Sequence, residues 1–223
     1  FKFGSMDYID MRQPRQVDKL LNNLMEWCGG KPAPAPAPVP VPTPTPTPVP
    51  TPFKTYQVGD YYDDGEKQGV VFEVSEDGRH GKIVSLEQSH QRWCSKAEYH
   101  EGIKTGATDR NGMTNQRIIE QINNWRNKYP AFAWCADLGE GWYLPAIEES
   151  KKILLDDIVH DKVNRRLQEL KAPKLFAQDE WEWYWSSTEY NELCAWYVSM
   201  LSGFTLDSHK SSDFYSVRAV AVF

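Results

Sequence analysis

The hydrophobic positions of the chain follow a helical repeat near the N-terminus and strand-like repeats farther on. From Gln16 to Trp27 the apolar residues recur at the spacing of one helix face: Val17, Leu20, Leu21, Leu24 and Met25. Gly29 and Gly30 end this predicted helix. A helix of about twelve residues is marginal in isolation. We therefore expect its apolar face to be buried against its own domain or, as a stiff spacer follows it, against other chains.

The part of the chain after Thr55 opens with a predicted β-hairpin. Two apolar runs, residues 69–74 and 81–86, flank a polar turn that contains Asp77 and Gly78. Two strand-like runs around an Asp-Gly turn are a strong hairpin signal.

Helical periodicity follows this hairpin, and short β segments return near the C-terminus. Helices are predicted at residues 114–128, 146–156 and 160–170, and an apolar strand at residues 215–223. Tyr129 and Pro130 are expected to stop the first of these helices. Strands first, helices in the middle and strands last predict an α+β fold.

Prolines at every second position from Pro32 to Pro52 divide the chain. Such a run cannot join a helix or a central strand, and each residue before a proline is extended, so it predicts a polyproline-II spacer. At ~3.1 Å per residue this spacer separates its ends by roughly 65 Å. A ligand for aromatic-grooved modules is the alternative, and the strict alternation favours spacing. The predicted regions are an anchoring or oligomerising helix at 1–30, the rigid spacer at 31–53 and a binding domain at 54–223.

The net charge is −6, and the region after residue 53 carries −7 because residues 1–53 have five basic and four acidic side chains. An acidic domain without a basic stripe is a poor candidate for binding nucleic acid or anionic lipid. No apolar run reaches the length of a membrane span, and the first residues carry no signal-peptide pattern. We therefore expect no nucleic-acid partner and no membrane insertion.

No strong catalytic or metal-binding motif is present in the sequence. The acidic run at residues 60–66 resembles a calcium loop in composition but not in spacing. His90, Cys94 and His100 lack an evident fourth zinc ligand. Cys94 and Cys135 each follow a tryptophan and form either a disulfide or two inert core thiols. We expect no catalytic residues, no metal and no cofactor.

The stretch from Glu192 to Ser216 is neither helical nor alternating in pattern, because small polar residues mix irregularly with large apolar ones. If its irregular positions are exposed, Leu201, Phe204 and Leu206 form an apolar patch that needs a partner. The alternative is an ordinary β meander with poor alternation.

Several motifs together resemble one family, the Legionella-collagen-like-protein C-terminal domain family. They are Trp142-Tyr143-Leu144-Pro145 with Glu148, Tyr184-Trp185-Ser186-Ser187-Thr188-Glu189, Ala195-Trp196, Gly203, Lys210 and Val217-Arg218-Ala219-Val220. The resemblance covers roughly residues 56–223 and implies a C-type-lectin-type fold in a surface adhesin or glycan binder. The calcium-site tripeptides of vertebrate lectins are absent, so calcium-dependent sugar coordination is not expected.

The tail at about 185–223 also resembles the variable region of proteins diversified by retroelements in bacteria and phages. Adenine randomisation of Asn-type codons cannot yield Lys, Gln, Glu, Met or Trp, and none of these occurs at the irregular positions. The resemblance implies a ligand-binding variable face made of Leu193, Cys194, Tyr197, Ser199, Leu201, Ser202, Phe204, Leu206, Asp207, Ser208, His209, Ser211, Ser212 and Phe214. Replacing Tyr197, Phe204 and Leu206 by alanine is expected to abolish binding without lowering the melting temperature.

The leading hypothesis is a phage tail or fibre adhesin on the virion surface that recognises a host cell-surface protein or glycan. Residues 16–27 would assemble a homo-oligomer or attach the module to the virion. The alternative is a bacterial cell-surface lipoprotein or a pilus-tip glycan-binding module. An enzyme resembling the formylglycine-generating group is disfavoured, because Cys194 has no second cysteine at a suitable spacing.

Overall fold

A computed structural model describes residues 14–27, 54–213 and 215–223. The chain divides into two units, Phe1–Pro50 and Thr51–Phe223, and each is described by itself. In the first unit, helix α1 (Pro14–Trp27) contains the predicted amphipathic segment and begins two residues early. Proline is favoured at a helix start because its missing N–H is not needed there. Leu21 and Leu24 are exposed on α1, and the predicted spacer lies outside the described residues.

The second unit has an α+β architecture. Its strands are β1 (Tyr61–Asp63), β2 (Gln68–Val74), β3 (Gly81–Ser85), β4 (Ser89–His90), β5 (Trp142–Tyr143), β6 (Trp183–Glu189), β7 (Cys194–Ser199), β8 (Thr205–His209), β9 (Ser216–Val217) and β10 (Val220–Val222). Its helices are α2 (Lys96–Glu101), α3 (Gly112–Glu120), α4 (Trp125–Lys128), α5 (Pro130–Asp137), α6 (Ile147–Leu154) and α7 (Asp157–Glu169). Within the described residues, no helix is long and apolar enough to cross a membrane.

The first sheet has the strand order β1-β2-β3-β10-β5, and its neighbours are antiparallel. The predicted hairpin is confirmed as β2 and β3, which pair from Gly69 with Ser85 to Val74 with Gly81. Its turn requires a left-handed residue at Gly78, where φ is 71°. Glycine adopts this conformation without steric cost.

The second sheet has the order β4-β9-β6-β7-β8, with β6 and β9 parallel and the other neighbours antiparallel. The prediction of one strand at 215–223 is wrong, because β9 belongs to this sheet and β10 to the first. Between them Arg218 is buried and donates from Nε to the Ser85 carbonyl (2.9 Å) and from Nη2 to the Pro173 carbonyl (3.0 Å). The C-terminal segment therefore joins the two sheets.

The helical region is more broken than the periodicity predicts. The expected helix at 114–128 is divided into α3 and α4, since Asn124 has a left-handed φ of 61°. Pro130 does not merely stop a helix but occupies the first turn of α5, where proline is favoured. The predicted helices at 146–156 and 160–170 correspond to α6 and α7.

One hydrophobic core contains residues of both sheets and an aromatic cluster. Trp93 makes edge-to-face contacts with Phe132 (ring centroids 5.0 Å apart) and Tyr129 (5.8 Å), a favoured arrangement of aromatic rings. Cys94 and Cys135 are buried as free thiols, so the disulfide alternative is not what the structure contains. Burial raises the pKa of both thiols, which suits inert core positions.

Candidate binding surface

The β7–β8 hairpin holds most of the positions predicted to bind a ligand. The strands pair from Cys194 with His209 to Val198 with Thr205. At the tip, the Ser199 N–H donates to the Phe204 carbonyl at 2.9 Å. The hairpin is therefore a regular ladder closed by a short turn.

The predicted positions differ widely in exposure. Exposed members are Leu193, Leu201, Ser202, Phe204, Leu206, Asp207 and His209; half-buried members are Cys194, Ser208, Ser211 and Ser212; buried members are Tyr197 and Ser199. Phe214 lies outside the described residues. Phe204 is 66% exposed and Leu206 45%, so an apolar patch does reach the surface here.

Tyr197 and Ser199 are buried, which corrects the expectation that they are exposed. The Tyr197 ring packs edge-on against Trp185 (6.2 Å between centroids) and against Tyr215 (4.8 Å). Burial, followed by the neighbouring Tyr215, raises the pKa of Tyr197 to about 12. Replacing Tyr197 therefore removes a packing residue, and the expectation of an unchanged melting temperature does not apply to it.

The predicted positions are divided between the two faces of the hairpin. Side chains alternate along a strand, and directly paired residues share a face. Tyr197 is paired with Leu206, while Trp196 is paired with Asp207. Leu206 and Asp207 therefore lie on opposite faces, and the predicted set does not form a single strand-supported face.

The face that contains Leu206 continues an aromatic cluster. Trp185 pairs with Tyr197, and Tyr215 stacks on Trp185 at 4.1 Å between ring centroids. Trp183 approaches Tyr215 at 5.8 Å. Leu206 therefore lies at the margin of a packed aromatic surface.

The opposite face of the hairpin is more polar. The Tyr99 hydroxyl lies 3.0 Å from His209 Nδ1, and Tyr190 packs edge-on against Trp196 at 5.1 Å. Burial, and then the Asp207 carboxylate, raises the pKa of the Cys194 thiol. A neutral thiol is a poor nucleophile.

A buried ion pair fixes the hairpin at its base. Lys210 Nζ lies 2.6 Å from Glu189 Oε1, and both side chains are at most 1% exposed. The Glu189 carboxylate also accepts the N–H groups of Thr105 (2.8 Å) and Gly106 (3.0 Å). Lys210 Nζ donates to the Glu192 carbonyl at 3.0 Å. The end of β6, the end of β8 and the 105–106 loop are therefore joined at one buried point.

Lys210 is one of the residues that carry the family resemblance, but the sequence does not reveal its pairing with Glu189. The two residues are 21 positions apart, and nothing in their spacing indicates contact. The resemblance motif that ends at Glu189 was the available signal, because a buried acid at the end of a strand requires a cation.

Trp181 is an exposed residue that the sequence reasoning missed. Its side chain is 73% exposed. The segment around it runs beside the hairpin tip, since the Met200 N–H donates to the Glu182 carbonyl (2.9 Å) and the Asp179 N–H to the Met200 carbonyl (3.0 Å). Its position between Glu180 and Glu182 was the available signal, because strongly charged segments lie at the protein surface.

The residues considered as metal ligands do not form a metal site. Within the described part of the chain, no three His, Cys, Asp or Glu side chains are arranged to hold an ion. His90 Nε2 lies 3.3 Å from the Ser216 hydroxyl instead. In the acidic loop, Asp64 accepts the backbone N–H groups of Lys67 and Glu66, and these bonds lower its pKa. Its oxygens are engaged by the loop itself.

Comparison with known proteins identifies a structural relative. No family model matches the chain, and no curated protein matches it. A crystal structure of a fimbrial protein from Bacteroides ovatus ATCC 8483 superimposes with a TM-score of 0.54 and 17% sequence identity. The match covers 75% of this chain and 49% of the fimbrial chain, so this chain spans about half its length. At this identity the likeness concerns the fold.

Proposed function

We propose that this chain is a surface-displayed binding module of the adhesin type, located on a bacterial cell surface. The observation that carries the proposal is the β7–β8 hairpin, which presents Phe204 and Leu206 to solvent while Glu189 and Lys210 hold its base. Exposed apolar side chains on a rigid support are typical of a recognition surface.

The fimbrial relative supports the cell-surface location over the virion. It shares the fold and is itself described as fimbrial. A pilus or fimbrial module that binds a protein or glycan is therefore the interpretation we favour. The match spans half of that chain, so assembly into a fimbria belongs to the proposal.

A C-type-lectin-type fold and membership of the Legionella-collagen-like-protein C-terminal domain family are part of the same proposal. The motif residues Trp185, Ser186, Glu189 and Arg218 are buried, and each makes framework contacts. This is the behaviour expected of residues that define a fold while others vary.

A phage receptor-binding protein is the second candidate. The residue types at the predicted variable positions favour it, since all are accessible to adenine randomisation. The genomic neighbourhood separates the two candidates. A reverse transcriptase with a template repeat among phage structural genes supports the virion, and an upstream lipobox supports the cell surface.

The binding test compares two double variants, one that removes exposed apolar side chains from the β7–β8 hairpin and one that removes them elsewhere. The double variant Phe204→Ala/Leu206→Ala should reduce binding of the labelled protein to a panel of bacterial and animal cells at least tenfold, since hot-spot residues dominate such contacts. The matched control is Ile158→Ala/Val222→Ala, which alters exposed apolar residues elsewhere. Equal binding by the two double variants would contradict the proposal.

A further inference from the structure

Both faces of β8 hold predicted binding positions, and its open edge is the direction from which both are reached. Leu206 lies on the aromatic face and Asp207 on the polar face. The strand order places β8 at the end of its sheet. A partner that approaches along this edge can contact side chains on either side of it.

The two ends of the hairpin fix which backbone groups are already bonded. At the tip the Ser199 N–H donates to the Phe204 carbonyl (2.9 Å), and at the base the Lys210 N–H donates to the Leu193 carbonyl (3.0 Å). In an antiparallel ladder, hydrogen-bonded pairs alternate with non-bonded pairs. Both end pairs belong to the bonded set, so every second pair between them does too.

This register assigns Leu206 and Ser208 to the bonded set. The N–H groups of Thr205, Asp207 and His209 are therefore directed away from β7. Among the described residues, no other segment forms a backbone hydrogen bond with Thr205 or Asp207. The outer edge of β8 thus presents a row of donors and acceptors at strand spacing.

The edge also lacks three features that commonly prevent strand addition: proline, lysine and a bulge. Protein edges are commonly blunted by proline, lysine or a bulge. β8 contains neither residue type, its pairing with β7 is continuous, and its single formal charge is Asp207.

We infer that β8 pairs with an extended segment of a partner polypeptide, which adds a sixth strand to this sheet. Main-chain bonds would supply affinity, and side chains on the two faces would supply specificity. Apolar side chains of the segment would cover Leu206, and a basic side chain would approach Asp207. This inference rests on the proposed function, because it names the class of partner that the surface recognises.

Charge argues against a second copy of this chain as the added strand. Antiparallel pairing of two β8 strands centred on Asp207 would place two carboxylates directly opposite, which is destabilising. The net charge of −6 adds repulsion between copies. A glycan lacks the regular backbone needed to continue the ladder.

The decisive variants separate the backbone of Asp207 from its side chain. Asp207→Pro removes the outward N–H and leaves the bonds to β7 intact, because proline is tolerated on an edge strand. Asp207→Ala is the matched control, since it loses the same carboxylate and keeps the N–H. The probe is a linear peptide selected against the full chain from a displayed library of random twelve-residue sequences.

We expect Asp207→Pro to weaken peptide binding about tenfold relative to Asp207→Ala, the effect of losing one backbone hydrogen bond. Equal affinity of the two variants would overturn the inference. Failure of the library to yield any peptide, with binding confined to arrayed glycans, would also overturn it.

Hydrogen exchange on the unmodified protein supplies a test that does not depend on either variant folding. The bound peptide should slow exchange of the Thr205 and Asp207 amides at least tenfold, while Leu206 and Ser208 are already protected by β7. Protection that grows with protein concentration in the absence of peptide would identify a second copy as the added strand and overturn the inference. Cell binding retained by Asp207→Pro would leave the adhesin function standing and reject only the strand addition.

Discussion

Two hairpins of the same domain differ in what covers them. In β2, Val70, Val71 and Phe72 are all fully buried, so both faces of that strand are packed. Its partner β3 continues into the first sheet through β10. In β8, by contrast, every residue is exposed or half-buried, and no strand of the described residues follows it in the sheet. The β2–β3 hairpin is therefore largely buried, whereas the β8 strand of the β7–β8 hairpin is largely exposed.

The difference lies in the position of each strand in its sheet. Two-sided burial makes Val70, Val71 and Phe72 determinants of stability, because interiors are packed as densely as crystals. In the second hairpin this role falls to β7 and to the Glu189–Lys210 pair. Substitutions in β8 should therefore cost less stability than substitutions in the buried part of β2, provided that the Glu189–Lys210 pair is kept.

The largest expected difference is between two single variants, Phe72→Ala in β2 and Phe204→Ala at the tip of the β7–β8 hairpin. The first leaves a cavity in a fully packed strand and should lower the free energy of unfolding by about 3–5 kcal/mol. The second removes a side chain that is already exposed and should change it by less than about 0.5 kcal/mol. Urea denaturation measures both changes. Similar losses of unfolding free energy would show that Phe204 is packed as tightly as Phe72.

A second test addresses the base of the exposed hairpin. Lys210→Met leaves the Glu189 carboxylate buried without its cation, which should cost about 3–5 kcal/mol of unfolding free energy. The matched control is Lys82→Met, whose lysine pairs with the buried Glu149 but is 22% exposed. We expect a smaller loss from the control, because water reaches that site.

If the two lysine variants lose the same stability, the Glu189–Lys210 pair has no special role under β8. Retained stability in Lys210→Met would have a further consequence. It would show that the ion pair with Glu189 is not needed to hold the base of the β7–β8 hairpin.

The local parts of the fold followed from local sequence signals. The β2–β3 hairpin was predictable because its strands are adjacent in sequence and its turn contains Gly78. The 215–223 segment was not, because its division between two sheets depends on the buried Arg218 and on carbonyls far away in sequence. Apolar runs indicate burial but do not indicate which sheet a strand joins.

The sequence predicted which segment contains the candidate binding surface, but it did not predict which of its side chains are exposed. Irregular patterning located the exposed Phe204 and Leu206, since neither strand face there is wholly buried. It also included Tyr197, because a tyrosine that packs against Trp185 is indistinguishable in sequence from one that faces solvent. The pairing register, which no local pattern fixes, decides between the two.

A third prediction compares the paired residues Tyr197 and Leu206. Tyr197→Ala removes the ring that contacts Trp185 and should lower unfolding free energy by about 3 kcal/mol. Leu206→Ala should cost less than about 1 kcal/mol, because the side chain is 45% exposed. Thermal or urea unfolding of the two single variants measures both losses. A larger loss for Leu206→Ala than for Tyr197→Ala would contradict the assignment of Leu206 to the surface and Tyr197 to the core.

The smallest effect concerns alkaline pH and one tyrosine in each region. The pKa of Tyr197 in β7 and that of Tyr62 in β1 are both raised to about 12 from 10.0, chiefly by burial. Above pH 10 the unfolded chain therefore loses these protons before the folded chain does, and stability falls as pH rises from about 10 to about 12. Tyr197→Phe and Tyr62→Phe should each make this decline shallower, as measured by the urea midpoint across that range.

Below about pH 9, where tyrosines are protonated in both the folded and the unfolded state, the pH dependence of both variants should match that of the parent protein. A Tyr197→Phe decline as steep as the parent's, beside a shallower Tyr62→Phe decline, would mean that water reaches the Tyr197 hydroxyl and that the exposed surface extends under β8 as far as β7.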